Sequence, residues 1–366
     1  MGEPRPRREP PRAAGPPQRE PPGGAQPRRG RGERMPADAT AEQPAVPSAT
    51  GSSRKRPAPE RPSAEKALPA QPSPARPLPA QPKRGGRVDP SEIAAFSVTR
   101  SGFAAALVAA LTTLLIFGTR LDPAAYAGIC FAVQALFVVA WTLGSKPPGP
   151  TVVATVGVTG ALAADLAAVY ASEASLAPLG FVTAGAFVLG VLGQLARGKS
   201  RARVTESIGS SAVVAVGVVA LATPVLLSRL PSGAEALMVC LLAAGVGLVV
   251  AHLADMAARR PRISPQVPRG AVGVVLGAMA GTAVAGGAGS LVQGLTPTVT
   301  AVAGLVVAVT AVLADLGMAF AETGRLLAGE KAAPWPVRAL VGPLVALAVA
   351  APAAYLLSVL MMVKGF

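Results

Sequence analysis

The chain is short of the residues from which soluble enzymes build their chemistry. Among 366 residues there are two cysteines and one histidine. Cys130 and Cys240 stand in separate apolar segments, with no CxxC spacing and no paired histidine, so core packing explains them better than metal or redox use. A serine hydrolase needs a base beside its serine, and His252 is the sole histidine. No Walker lysine follows the glycine-rich runs, which argues against a P-loop nucleotide site. Aromatic residues make up 4% of the chain and charged residues 14%. With so few stacking rings and no folded recognition motif, the net charge of +15 does not point to nucleic acid. The first thirty residues hold no apolar run of the signal-peptide kind.

What is present falls into two polymers. Residues 1–90 are rich in Pro, Arg, Ala and Gly and carry 18 basic and 9 acidic side chains. Such a segment buries too little apolar surface to offset chain entropy and is expected to be a disordered cytoplasmic tail. Within it, Leu68-Pro69-Ala70-Gln71-Pro72 recurs as Leu78-Pro79-Ala80-Gln81-Pro82. Repeats of this kind favour polyproline II and serve as a semi-rigid tether or a docking peptide. A basic tail beside a membrane contacts anionic lipid more readily than nucleic acid. Met35 is an alternative start within the tail.

Residues 91–366 are Ala, Val, Leu and Gly with sparse charge. Nine apolar runs of about 20 residues, the length that crosses a bilayer as a helix, fall near 102–118, 124–143, 151–171, 176–196, 208–228, 234–258, 271–293, 298–320 and 339–363. The runs are continuously apolar rather than alternating, which predicts an all-α polytopic transmembrane bundle and not a barrel. Gly277, Gly281, Ala285 and Gly289 recur every four residues and predict one helix face that packs closely on a neighbour. Nine crossings place Lys146, Arg197, Lys199, Arg201, Arg203, Arg259, Arg260, Arg262, Arg269, Arg325, Lys331 and Arg338 on one side, and Arg120, Arg229 and Lys364 on the other. By the positive-inside rule the tail is cytoplasmic and the C-terminus outside, in the cell (inner) membrane. Trp141 and Trp335 at the inner boundary, with Tyr126 and Tyr170 at the outer one, are expected as interfacial aromatics.

Three aspartates lie within the apolar runs: Asp165, Asp255 and Asp315. A carboxylate there costs a few kcal/mol on insertion scales, so it faces a bundle interior or cavity and is a functional candidate. His252 precedes Asp255 by three residues and shares its helix face. Asp255 and Asp315 each sit about a turn from the basic end of their helices, whereas Asp165 lies nearer the opposite end. His252, Asp255 and Asp315 are therefore expected to converge beneath two Arg-rich loops. Such a pocket suits a metal ion on Asp255 and Asp315 with a phosphate-bearing ligand. The alternative is that each acid is neutralised by a neighbouring helix and only fixes packing, the favoured reading for Asp165.

The C-terminal half resembles the phosphatidate cytidylyltransferase (CDP-diacylglycerol synthase) family over about residues 200–360. Ala314-Asp315-Leu316 looks like that family's Gly-Asp-Leu, and Ala350-Ala351-Pro352-Ala353-Ala354-Tyr355-Leu356-Leu357 like its closing apolar helix. Pro261-Arg262-Ile263-Ser264-Pro265, followed by Gly273 and Gly277, looks like its Ser-Pro loop, and Asp255 like the acid at a Ser-Asp helix end. Family members join CTP to phosphatidate and release pyrophosphate, typically with Mg²⁺ held by carboxylates. The resemblance implies membrane phospholipid (phosphatidate or another anionic lipid) as partner. It also implies a homodimer or pairing with an active relative, and CTP and Mg²⁺ only if the chain is active.

The departures fall on the charged motif. After Asp315-Leu316 the chain reads Gly317-Met318-Ala319-Phe320, then Trp335-Pro336-Val337-Arg338, so the family's Lys-Arg, Gly-His-Gly-Gly and late aspartates are gone. Gln266-Val267-Pro268-Arg269-Gly270 lacks the lysine and glutamate of the Ser-Pro loop. The remaining phosphate- or lipid-binding candidates are Arg262, Ser264, Arg269, Arg325 and Arg338. Loss of one charge-stabilising donor typically costs about 10²–10³ in rate, and several are missing together. The expectation is a catalytically degenerate, phospholipid-binding or regulatory relative. Two alternatives are an active synthase with a rearranged site and a small transporter using Asp165, Asp255 and Asp315 as relay acids.

Overall fold

A computed structural model describes residues 90–198, 203–258, 260–263 and 269–364, with backbone alone for 90–97 and 363–364. The expected disordered tail, from residue 1 to 89, lies outside the described residues. Among those described, nine α-helices are long and apolar enough to cross a membrane. They are α1 (Pro90–Gly118), α2 (Pro123–Ser145), α3 (Pro150–Tyr170), α4 (Ala177–Ala196), α5 (Val204–Ser228), α6 (Gly233–Ala257), α7 (Ala271–Gly289), α8 (Pro297–Leu327) and α9 (Trp335–Lys364).

Local chemistry sets the boundaries. Proline stands in the first turn of α2, α3, α4 and α8, where its fixed φ suits the helix and its missing N–H would be unpaired anyway. Asp122 caps α2 by accepting hydrogen bonds from the Ala124 and Ala125 amides, both at 3.1 Å. α1 begins at Pro90 rather than near 102, and α8 runs to Leu327 rather than 320. Charged side chains such as Arg100, Glu322 and Arg325 extend these helices past the apolar run, and α8 stops only just before Gly329, whose φ is +83°. α7 ends at Gly289, short of the expected 293, where Ser290 and a turn take over. Pro224 inside α5 deprives the Ala220 carbonyl of its amide partner, and the Thr223 hydroxyl donates to that carbonyl at 2.7 Å. A proline-broken bond inside a membrane helix is thus made good locally.

The helices gather as α2–α5 on one side and α1 with α6–α9 on the other, joined mainly where α5 and α2 meet α9. Residues 217–227 of α5 are buried without interruption, the pattern of a helix apolar all round and enclosed by its neighbours. α4 buries only Leu179, Ala186, Gly190 and Gln194 and lies at the rim.

The expected small-residue face is a backbone contact. In α7 the buried residues are Gly273, Gly277, Gly281, Ala285 and Gly289. A Cβ on Gly277 would lie 2.6 Å from the Gly247 carbonyl oxygen, and one on Gly281 2.7 Å from that of Ala243. Only glycine lets α7 come this close to α6.

The basic loops share one end. There Glu322 of α8 pairs with Arg100 of α1 and Arg338 of α9. Arg325 donates to the Gly144 carbonyl at the end of α2 at 3.3 Å, and the Lys146 ammonium lies 3.4 Å from the Lys331 carbonyl. At the opposite end Arg229 donates to the carbonyls of Ala168 and Ala171, both at 2.7 Å. Tyr126 departs from its expected interfacial place: its ring is fully buried against Gly118 of α1. Tyr170 is 76% exposed.

Candidate functional site

The α6–α7 connection builds the centre of the candidate site. Its two ends are zipped by a short antiparallel bridge between Arg262 and Gly270, in which the Ile263 amide donates to the Arg269 carbonyl at 3.3 Å and the Ala271 amide to the Pro261 carbonyl at 3.0 Å. This closure turns the Arg269 side chain inward, where it is 8% exposed. It also sets Gly270 as the N-cap of α7. The Gly270 amide donates to Asp255 Oδ1 at 3.0 Å, so the carboxylate sits at the positive end of α7.

The guanidinium of Arg269 joins α6, α8 and the α6–α7 connection into one cluster. Its Nε lies 3.0 Å from Asp255 Oδ2 on α6, and its Nη1 lies 2.6 Å from Asp315 Oδ2 on α8. Its Nη2 lies 2.8 Å from His252 Nδ1. His252 Nε2 in turn lies 3.1 Å from Asp315 Oδ2. Arginine only donates, so Nδ1 is the acceptor and the ring hydrogen sits on Nε2, the nitrogen 3.1 Å from Asp315 Oδ2. Asp255, His252 and Asp315 are all buried.

Glycines make the room. A Cβ on Gly273 would fall 2.7 Å from Asp255 Oδ1, and one on Gly342 of α9 would strike Asp315 Oδ1. Burying an ion pair repays its desolvation only when geometry and supporting hydrogen bonds are good. Here the guanidinium engages three partners and Asp255 gains a backbone amide.

His252, Asp255 and Asp315, singled out in the sequence, do come together at the basic end. Arg269, expected at the rim, is at the centre. Arg262 contributes its backbone to the bridge, and its side chain is exposed. Arg325 and Arg338 are engaged with Gly144 and Glu322 and do not join the cluster. Ser264 lies outside the described residues. Gly270, Gly273 and Gly342 were not singled out as site residues. Their signal was a glycine after the loop arginine, and one opposite each acid on the facing helix.

A divalent ion fits this arrangement poorly. The space between the two carboxylates is filled by guanidinium nitrogens at 2.6 and 3.0 Å, and no group of three or more metal-ligating side chains occurs among the described residues. Asp165 of α3 is apart from this cluster and accepts a hydrogen bond from Gln134 Nε2 of α2 at 3.1 Å. No family model, curated protein or solved structure matches the chain.

Proposed function

We propose that this integral membrane protein is a relative of phosphatidate cytidylyltransferase whose nucleotide-transfer chemistry has lapsed, and that it binds anionic phospholipid at its basic end. One observation supports the lapse above others: Arg269 neutralises the two acids that the resemblance assigns to a metal-bearing site. Nucleotidyl transfer rests on positioning and charge neutralisation by metal ions and cationic clamps. A cation supplied by the chain itself, paired with both carboxylates and touching the histidine, occupies the place between the acids that Mg²⁺ would need. The missing Lys-Arg and Gly-His-Gly-Gly residues point the same way.

Phospholipid binding is supported by the crowding of basic loops at one end. Lys146, Arg260, Arg262 and Lys331 are exposed there. Taken with the charge bias of the loops, this end faces the cytoplasm of the cell membrane, where anionic headgroups attract juxtamembrane Lys and Arg by about 1 kcal/mol each. A second copy or an active relative is the natural protein partner. The transporter reading draws little from the geometry, since Asp255 and Asp315 are tied to one guanidinium and Asp165 stands in another part of the bundle.

The test uses the full chain in nanodiscs containing phosphatidate. Incubation with CTP, with and without Mg²⁺, is expected to yield no CDP-diacylglycerol, and turnover abolished by Asp315→Asn overturns the lapsed reading. Native mass spectrometry is expected to retain phosphatidate in preference to phosphatidylcholine, less so after Arg260→Ala and Arg262→Ala together. Equal retention of both lipids overturns the binding role.

A further inference from the structure

A second buried polar site lies in the α2–α5 half, independent of the arginine cluster and of the reading above. Gln134 is fully buried on α2 and Asp165 is 5% exposed on α3. The amide nitrogen of Gln134 is committed twice: it donates to the Val218 carbonyl of α5 at 2.9 Å and to Asp165 Oδ1 at 3.1 Å. The orientation of the amide is therefore fixed, because flipping it would set an oxygen against both acceptors. What remains is a pair of acceptors, Gln134 Oε1 and Asp165 Oδ2, both buried and neither with a hydrogen-bond partner.

Two orphaned oxygens, one on a carboxyl and one on the amide that already bonds that carboxyl's other oxygen, define what is missing. A buried ionised carboxylate without a cation is among the costliest arrangements a protein can hold. The surrounding elements supply no cation to it. α2 presents Cys130 and Tyr126 one and two turns along the same face, and α4 has no charged residue. Arg229, at the end of α5, is engaged with the carbonyls of Ala168 and Ala171, and Glu173 lies in the exposed α3–α4 connection. A single hydrogen on Oδ2 answers both orphans. There it would neutralise the carboxyl and donate to Oε1, completing a cyclic acid–amide pair whose other half is the Nε2–H bond to Oδ1.

We propose that Asp165 and Gln134 form a membrane-embedded proton-binding site, with the proton carried on Asp165 Oδ2 and shared with Gln134 Oε1. Tyr126 extends the polar face of α2 away from the acid. Its hydroxyl is a third buried oxygen without a partner, on the same α2 face as Gln134 and toward the end that carries Arg120 and Asp122. Tyr126, Cys130 and Gln134, four residues apart, make a polar stripe from that end to the acid.

Infrared spectroscopy of the full chain in nanodiscs tests this. The wild type is expected to show the carbonyl band of an un-ionised carboxyl at neutral pH, shifted to lower frequency in D₂O and lost in Asp165→Asn. Asn supplies an N–H where the acid supplied O–H, so this variant is expected to keep the wild-type unfolding temperature. Should it fail to fold, Asp165→Glu is expected to retain a band at a shifted position. Gln134→Leu is expected to keep the band but move it to the frequency of a carboxyl without an amide partner. A wild-type spectrum without an un-ionised carboxyl overturns the proposal. So does a band that disappears on adding sodium chloride at constant pH, which would give the site to a metal cation.

Discussion

Replacing Arg269 by alanine is the perturbation to which the candidate site is most exposed. The side chain is 8% exposed and contacts Asp255, Asp315 and His252 at 3.0, 2.6 and 2.8 Å. Removing one partner of a buried ion pair typically costs about 3–5 kcal/mol, since the other charge is left without compensation. Two carboxylates lose their cation here, but Asp255 keeps the Gly270 amide and Asp315 keeps His252. A loss of about 4 kcal/mol follows, or roughly 8 °C in unfolding temperature for a domain of this size. The assay is thermal unfolding of the purified chain in detergent. Two companions locate the cause. Adding Asp255→Asn and Asp315→Asn to Arg269→Met removes the charges from both sides and is expected to recover most of the loss, as apolar or neutral replacements of buried ion pairs commonly do. Millimolar Mg²⁺ is expected to stabilise Arg269→Ala, whose carboxylates are then open to it, and to leave the wild type unchanged. An Arg269→Ala protein within about 0.5 kcal/mol of the wild type, the scatter of ordinary surface substitutions, refutes the reasoning.

Other substitutions probe the frame around the site. Gly277→Val puts a side chain where a Cβ already falls 2.6 Å from the Gly247 carbonyl, and is expected to cost about 3 kcal/mol by overpacking. Gly287→Ala, with nothing within 4 Å of the added carbon, is expected to be neutral or stabilising by up to about 1 kcal/mol. Asp122→Ala removes the two-amide cap of α2 and is expected to lower stability by about 1 kcal/mol. Glu322→Gln uncouples Arg100 from Arg338 and is expected to cost about 1–2 kcal/mol, less at high salt because the group is partly exposed. Circular dichroism melts at two ionic strengths check the last two.

The sequence disclosed most of what depends on one-dimensional pattern. Apolar run length showed nine crossings, and four-residue spacing of Gly277, Gly281, Ala285 and Gly289 showed where backbones touch. The i, i+3 relation of His252 and Asp255, with Asp315 at the same depth, showed that these three share an end. Pattern could not show which of several loop arginines turns inward. That choice belongs to the Arg262–Gly270 bridge, a tertiary closure that no periodicity encodes. Helix ends depart from the apolar bounds where charged side chains keep a helix going beyond the apolar span, as in α8. Tyr126 was placed at an interface because tyrosine favours one. Packing against Gly118 instead buries it.

The arginine cluster also sets an order on assembly. His252 and Asp255 are synthesised first, Arg269 follows within the next loop, and Asp315 arrives only with α8. Until then Arg269 has one carboxylate to answer rather than two, so the cluster is complete only once α8 supplies Asp315.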